Sequence, residues 1–411
     1  MIRIRSMQRR DLPAYGRLVH YCFGLSEDYR HKYIDFMSKH LDTAWCASDG
    51  DTLAAGMWCY PFRMRVGEQF VPMSGVAAVA TAPEYRNSGL AREMMTRAHA
   101  ELRKAGYALS ALMPFRHDFY ARMGYADVFH HWDAVFAPAQ IAPVTLRGIR
   151  VREVDGTAEW KTLDMLQRAF GRRYLGPVTR DRRYWSFRWL LARQGLRRVH
   201  LVLRASQPIG YVISEMDIEP PPARWPTRDE LSPVGRKLAV KEAVWADDYA
   251  LSAILQLLRS YRDHAGQITW FLPVDFPILD FLSNPIADVR LVSKIQFKLI
   301  DFKRAIEERR YPADLDGAVS ADVQGDPTSE WNDGRWLIRW SGGRARVTRS
   351  RTTKRGVPRA SGEIAAWSVL YSGHLVTAEL VQQKRLTANA GAVEILERAF
   401  PRQVCFMPEW F

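Results

Sequence analysis

The sequence predicts an α/β protein with mixed sheets, built as three consecutive parts. Three observations carry this. Short β-prone runs alternate with amphipathic helical stretches along most of the 411 residues. One strand–loop–helix unit, residues 75–104, is far more specific than its neighbours. The order of elements in the first part returns, without that loop, in the second.

Ile2, Arg3, Ile4 and Arg5 alternate as a strand does. Asp11-Leu12-Pro13 opens a helix that Asp11 is placed to cap, with Leu12, Tyr15, Leu18, Val19 and Cys22 on one face. β-like runs follow at 43–47 and 53–60 around Asp49-Gly50-Asp51, and at 63–66 and 69–73 around Gly67-Glu68. Residues 75–81, GVAAVAT, are small, apolar and β-prone, and residues 82–89 cannot continue that strand. From Leu90 a helix runs to about Lys104, with Leu90, Met94, Ala98 and Leu102 at i, i+4 spacing, until Gly106 stops it. A strand at 109–113, a short helix carrying Phe119 and Tyr120, Gly124-Tyr125 and a strand at 128–136 complete the first part. Pro138 and Pro143 mark its boundary, and the first domain is set at residues 1–146.

The second domain, 147–290, has strands at 148–154, 199–205, 209–215, 237–245 and 268–272. Its helices lie at 159–170, 180–191 and 249–264, and the proline-rich stretch 219–233 reads as a surface loop. The third domain, 291–411, opens with a strand at 296–300 and a helix at 302–310. A segment rich in Asp, Gly, Pro and Ser, 313–329, reads as a linker. A hairpin at 336–340 and 344–348 turns across Ser341-Gly342-Gly343, and helices follow at 362–372 and 390–400. Phe406, Met407, Trp410 and Phe411 make the final stretch too apolar for a solvated tail.

Composition narrows the class. Hydrophobic residues are 47% and charged residues 25%, which excludes disorder as the general state. The net charge of +14 raises nucleic acid, anionic membrane or acidic protein as partners. Arg344, Arg346, Arg349, Arg351, Lys354, Arg355 and Arg359 form a basic run without an acid. It lacks the interleaved aromatics of a base-stacking surface, so it reads as a solvated hairpin and loop, and nucleic acid is disfavoured. Cys22, Cys46, Cys59 and Cys405 form no CxxC pair and no zinc spacing. No metal is expected, and a reducing cytoplasmic setting is. The N-terminus lacks a signal-peptide stretch and no window approaches 18 apolar residues, so a soluble intracellular protein is expected without membrane attachment.

The chemistry concentrates in Arg86-Asn87-Ser88-Gly89-Leu90-Ala91, which fits R-x-x-G-x-A between a strand and a helix. Such a turn is an anion cradle: backbone N–H groups at a helix N-terminus point outward and the helix dipole adds positive potential. Gly89 lets the backbone approach a pyrophosphate, and Arg86 adds a forked charged donor.

Three stretches carry a resemblance to the GNAT superfamily of acetyl-CoA-dependent N-acetyltransferases. IRSMQRRDLPAYGRL is similar to its first strand and helix, VAAVATAPEYRNSGLAREMM to its pyrophosphate-binding motif, and DFYARMGYADV to its F-Y-x-x-x-G-[FY] motif. Over its whole length the chain resembles the enhanced intracellular survival (Eis) family. Members join an active GNAT domain, a degenerate GNAT domain and a C-terminal sterol carrier protein-like α+β domain. LIDFKRAIEERRYP resembles the segment that opens that third domain.

The resemblance implies specific roles. Val79 and Thr81 offer backbone groups to the pantetheine arm of acetyl-CoA, and Arg86, Asn87, Gly89 and Ala91 surround its pyrophosphate. Tyr120 is the general acid toward the coenzyme A thiolate. The terminal carboxylate of Phe411 is the general base that takes the proton of a primary amine, whether aminoglycoside, polyamine or lysine. A backbone N–H near Val79 polarises the acetyl carbonyl. Phe23, Glu27, Asp28 and Glu409, with Tyr29, are candidates for holding a cationic acceptor. A homo-oligomer, a hexamer by resemblance, is also implied. Trp410 stands where an acidic residue is familiar, and Phe115 where a small polar residue often touches the coenzyme; both put the drug-acetylating range in question. The competing readings are a lipid or hydrophobic-ligand carrier, or a nucleic-acid-associated protein, on a structural GNAT scaffold.

Overall fold

The computed structural model describes residues 2–190, 196–217, 236–352, 356–409 and 411, without the side chains of Asp28, Tyr29 and Asp217. The expected loop at 219–233, the end of the helix at 180–191, Lys354, Arg355 and Trp410 lie outside the described residues, as do the side chains of Asp28 and Tyr29.

The chain opens with β1 (Ile2–Ser6), α1 (Leu12–Phe23), α2 (Glu27–Met37), β2 (Ala44–Asp49), β3 (Thr52–Val66) and β4 (Gln69–Thr81). Next come α3 (Leu90–Lys104), β5 (Leu109–Leu112), α4 (His117–Ala121) and β6 (Ala126–Phe136). β7 (Ile149–Glu153), α5 (Trp160–Phe170) and α6 (Arg182–Tyr184), which runs on as a π-helix over Trp185–Leu190, follow. β8 (Arg197–Arg204), β9 (Gln207–Asp217), β10 (Lys237–Trp245), α7 (Asp248–Arg259), β11 (Gln267–Pro273) and β12 (Asp288–Leu299) complete the middle of the chain. The last third holds α8 (Phe302–Glu308), β13 (Gly317–Gln324), β14 (Gly334–Ser341), β15 (Arg344–Arg349) and β16 (Arg359–Glu363). α9 (Ile364–Ser372), α10 (Thr377–Gln382), β17 (Leu386–Ala388) and α11 (Ala390–Ala399) follow them. No helix among the described residues is long and apolar enough to cross a membrane.

The mixed α/β architecture is as the sequence predicts, with local differences; β16, α10 and β17 are among the elements the sequence reading does not contain. β3 and β4 are single long strands because Pro61 and Gly75 each keep a ladder partner, Ser74 and Tyr60, on the opposite strand. α2 has no counterpart in the sequence reading; it is mostly charged, and its buried Tyr33, Phe36 and Met37 sit only in its second half. The expected linker contains β13, whose Val319, Ala321 and Val323 alternate into the core while the polar residues between them set the composition. Asp11 precedes α1 but does not cap it: its carboxylate accepts from the Arg5 guanidinium at 2.6 and 2.8 Å and from the Gln8 N–H at 2.7 Å.

Two compact units form, and neither is continuous in sequence. The first comprises Met1–Phe129, Tyr174–Thr179 and Ser293–Phe411; the second comprises His130–Arg173 and Arg180–Val292. In the first, β1, β2, β3 and β4 pair antiparallel in succession, β5 joins β4 in parallel, and β12 closes on β5 from Gln296–Leu112 to Leu299–Leu109. In the second, β7, β8, β9 and β10 pair antiparallel, β11 joins β10 in parallel, and β6 closes on β11. The repeated order is therefore real, and each unit takes its last strand from the far end of the other sequence repeat.

The apolar stripe of α3 explains its packing. Met94, Met95, Ala98 and Leu102 are buried among Trp45, Met57, Cys59, Val76, Leu112 and Tyr125. Each fully buried side chain of the larger kind contributes about 1.5–3 kcal/mol. The last third adds a five-stranded sheet in the order β15-β14-β13-β16-β17. Its interior is filled by its own side chains: Phe302, Trp336, Trp340, Trp367, Tyr371 and Phe400 are buried, and all of α9 except Ala365 is buried with them.

Residues 174–179 form a strap within the first unit. Thr179 N–H donates to Arg63 O at 2.9 Å, Arg65 N–H to Pro177 O at 2.7 Å, and Gly176 N–H to Arg65 O at 3.1 Å. On the strap's other side Leu175 N–H donates to Val404 O at 3.0 Å and Phe406 N–H to Leu175 O at 2.9 Å. The strap thus joins β3 to the final stretch of the chain. Gly176 has φ +126°, and a Cβ there would meet Phe406 O at 2.7 Å and the Phe129 ring at 2.6 Å. Gly176→Ala is expected to cost roughly 2–3 kcal/mol, from strain and displaced backbone, in a denaturant unfolding curve.

Candidate active site

The site begins with an irregularity in β4. Between the pairs Gly56–Ala80 and Trp58–Ala77, β4 carries one residue more than β3. Ala78 takes a positive φ of 47° there, and its carbonyl accepts from the Tyr15 hydroxyl at 2.7 Å. Tyr15 is fully buried, and a Cβ on Gly56 would meet its ring at 2.5 Å. The β4–β5 ladder runs only from Met73–Leu109 to Val76–Leu112. Beyond it residues 77–81 diverge from β5 and open a cleft.

The loop after β4 makes the cleft's floor. Asn87 takes φ +60° and Gly89 φ +83°, and the Ser88 hydroxyl donates to Tyr85 O at 2.5 Å. Gly89 is the N-cap of α3 and brings no capping side chain. The first N–H groups of α3 therefore face outward without an intrahelical acceptor. A Cβ on Gly89 would meet nothing within 4 Å, as expected where the backbone borders open space. The Arg86 Nε donates to Thr81 O at 3.3 Å, which holds its guanidinium over the β4 end.

The cleft measures about 620 Å³. Val79, Thr81, Arg86, Asn87, Gly89, Ala91 and Phe23 all line it. Tyr120 stands directly behind the lining, its ring centroid 5.0 Å from that of Phe119 and 5.9 Å from that of Phe115. Burial pushes its hydroxyl well above the ordinary tyrosine value. The Phe411 ring lies 5.5 Å from Phe62 and 6.0 Å from Tyr60, against β3 at Gly75's side of the strand pair. Two expected acids are elsewhere. Glu27 is exposed and paired with Arg30, which pulls its carboxyl below the usual value, and Glu409 is buried.

Arg92, Arg116 and Arg122 also line the cleft and were not foreseen. Arg116 and Arg122 share Asp118 at 2.7 and 3.4 Å. Among the described residues the lining carries four arginines, with Arg86, and no carboxylate, which suits a polyanion. Their signal was present as cations within one turn of the two motifs, but exposed arginines are common in this sequence. Cys22 lines the cleft as well, its Sγ 4.0 Å from Thr81 O.

A strand that splays at a bulge beside an uncapped helix N-terminus is the geometry to compare with known proteins. Residues 3–128 and 176–296 each match a family described as an acetyltransferase (GNAT) domain, and residues 302–408 match the sterol carrier protein domain. The N-acetyltransferases Eis of Mycobacterium tuberculosis and Mycobacterium bovis are 32% identical over 108 residues, 23% of this chain and 27% of theirs. The chain thus carries two matches to GNAT acetyltransferase domains followed by one to a sterol carrier protein domain. The match spans about a quarter of the length of these relatives. Solved structures extend the likeness in fold. A GCN5-related N-acetyltransferase from Anabaena variabilis has a TM-score of 0.86 at 20% identity over 100% of both chains. A probable N-acyltransferase from Enterococcus faecalis gives 0.87 at 19%, again over 100% of both. Eis1 from Mycobacterium abscessus gives 0.75 at 19%, with the same coverage.

Thiol chemistry reports on the cleft. Burial raises Cys46 to about 11, and Cys59 and Cys405 to about 12, so all three stay protonated near neutrality. Iodoacetamide at pH 8 should label Cys22 first, and saturating acetyl-CoA should slow that labelling, as read by peptide mass spectrometry.

Proposed function

We propose that this protein transfers the acetyl group of acetyl-CoA to a primary amine by direct attack. The observation that carries the reading is the cleft, which gathers Val79, Thr81, Arg86, Asn87, Gly89 and Ala91 beside the splayed strand. The α3 N-terminus and Arg86 hold the pyrophosphate, and the edge of β4 that β5 leaves open offers its backbone to the pantetheine arm. A backbone N–H near Val79 polarises the thioester carbonyl.

The chemistry then needs proton management. The amine attacks the carbonyl carbon, the C–S bond breaks, and the sulfur leaves as thiolate. Tyr120 donates a proton or hydrogen bond to that sulfur; burial raises its pKa, so the hydroxyl is protonated near neutrality. The carboxylate of Phe411 takes the amine proton; the Phe411 ring packs against Tyr60 and Phe62 of β3. Proximity supplies much of the remaining acceleration. Phe23 lines the cleft, while Glu27 and Glu409, two of the acids read from the sequence as attracting a cation, lie outside its lining. Assembly into a homo-oligomer, a hexamer by resemblance, belongs to the same reading and is decided by light scattering.

The deciding experiment is thiol release from acetyl-CoA with polyamines, aminoglycosides and lysine peptides as acceptors. Turnover with an amine supports the reading; tight coenzyme binding without turnover on any amine overturns it. Gly89→Glu should abolish coenzyme binding while the circular dichroism spectrum persists. Residues added after Phe411 should cut turnover while the acetyl-CoA Kd stays within about twofold; unchanged turnover removes the terminal base. Because burial raises Tyr120 above the ordinary value of about 10, turnover should not fall on the alkaline side up to about pH 9.

A further inference from the structure

Apart from the Phe411 carboxylate, the C-terminal part of the chain has so far no part in the reaction. A buried polar group gives it one. Lys298, on β12, and Asp326, after β13, both have side chains with no exposure at all. The Lys298 ammonium donates to Asp326, to Met123 O at 2.8 Å and to Thr328 Oγ1 at 3.0 Å. Three acceptors match the three protons of an ammonium. The other Asp326 oxygen accepts from Asn332 Nδ2 at 2.8 Å, so neither charge is left alone.

All of this converges on the turn that follows Tyr120. Met123 and Tyr125 N–H groups donate to Tyr120 O at 2.9 and 3.2 Å, and the Met123 carbonyl is held in turn by Lys298 and by Thr328 Oγ1 at 3.1 Å. Between them Gly124 takes φ +87°, and a Cβ there would meet Lys298 Nζ at 2.7 Å and Ile364 Cγ2 at 2.9 Å. The glycine of the F-Y-x-x-x-G-Y motif is thus enforced by the packing of β12 and α9. A second line reaches the same turn. Thr328 Oγ1 lies 3.1 Å from His99 Nδ1, His99 Nε2 lies 3.0 Å from the Tyr125 hydroxyl, and that hydroxyl lies 2.6 Å from Ser110 Oγ.

We propose that Lys298, Asp326 and Thr328 are the positioning unit of Tyr120, so that the sterol carrier-type domain, through Asp326 and Thr328, serves as catalytic scaffold. The proposal rests on the reading of Tyr120 as acid. Stability does not account for the group, since a buried ion pair is often no better than an apolar core of the same volume. What an apolar core lacks is direction: it cannot hold one carbonyl, Met123 O, at a fixed place and angle. Tyr120 lies one hydrogen-bonded turn from that carbonyl, on a helix of only five residues that has little rigidity of its own.

Thr328→Val keeps the shape and removes the hydroxyl that joins both lines; Thr328→Ser restores it. In the full-length protein Thr328→Val should leave the KM for acetyl-CoA within about twofold and lower kcat by at least about tenfold. Amide exchange at Met123–Tyr125 should become faster, and Thr328→Ser should behave as the unaltered protein. Lys298→Met combined with Asp326→Asn, which leaves no buried charge unpaired, should show the same split. Unchanged exchange and unchanged kcat in folded Thr328→Val and in the double variant overturn the proposal. Tyr120→Phe is measured beside them. If it keeps full turnover while Thr328→Val loosens the turn, the acid reading falls and the clamp on the turn stands.

Discussion

One alanine held in a left-handed conformation makes the cleft possible. Such a φ costs an ordinary residue roughly 1 kcal/mol or more, so something must hold it. Here it is the Tyr15 hydroxyl on the Ala78 carbonyl, and Tyr15 fits only because Gly56 opposite has no side chain. From that point β4 leaves β5, residues 77–81 lose a ladder partner, and the α3 N-terminus comes to face the gap. A regular strand at Ala78 would close the sheet and remove the site.

How much of this the sequence revealed follows from what each feature depends on. Helix α3, the loop before it and the Phe119-Tyr120 helix were legible because their signals are local: i, i+4 spacing, a glycine at the cap, a glycine after the turn. Val79 to Ala91 came together in the cleft for the same reason. Composition misled at β13, where Asp, Gly and Ser flank three inward-facing apolar residues. Asp11 was read as a cap because its neighbours suggest one, yet Arg5 offers two charged hydrogen bonds, a stronger attraction than backbone N–H groups. Lys298 and Thr328 sent no signal at all. Their partners lie 175 and 205 residues away at Met123, and no spacing rule reaches that far.

The C-terminal domain also bears on the competing readings. A carrier of a hydrophobic ligand needs an apolar interior space. The described interior of this domain is occupied by Trp336, Trp340, Trp367, Tyr371 and Phe400, with Arg309 over the last two rings at 5.3 and 5.1 Å. The basic hairpin reads as structural in part: the Arg349 guanidinium lies 4.2 Å over the Trp336 ring and donates to backbone carbonyls of Trp331 and Asp333. Both facts favour a domain that supports its neighbour.

The closing strand β12 has a consequence for synthesis. β5 pairs with it through Leu109–Leu112, yet its partner residues Gln296–Leu299 leave the ribosome nearly two hundred residues later. At ordinary translation speeds that is a wait of roughly 10–40 s. Through that time the nascent first repeat has an unpaired β5 edge, of the kind that seeks any available strand. The same edge is bare in a fragment cut at the apparent end of the first repeat. The smallest piece that folds without that hazard is not the first repeat; it must extend past Leu299.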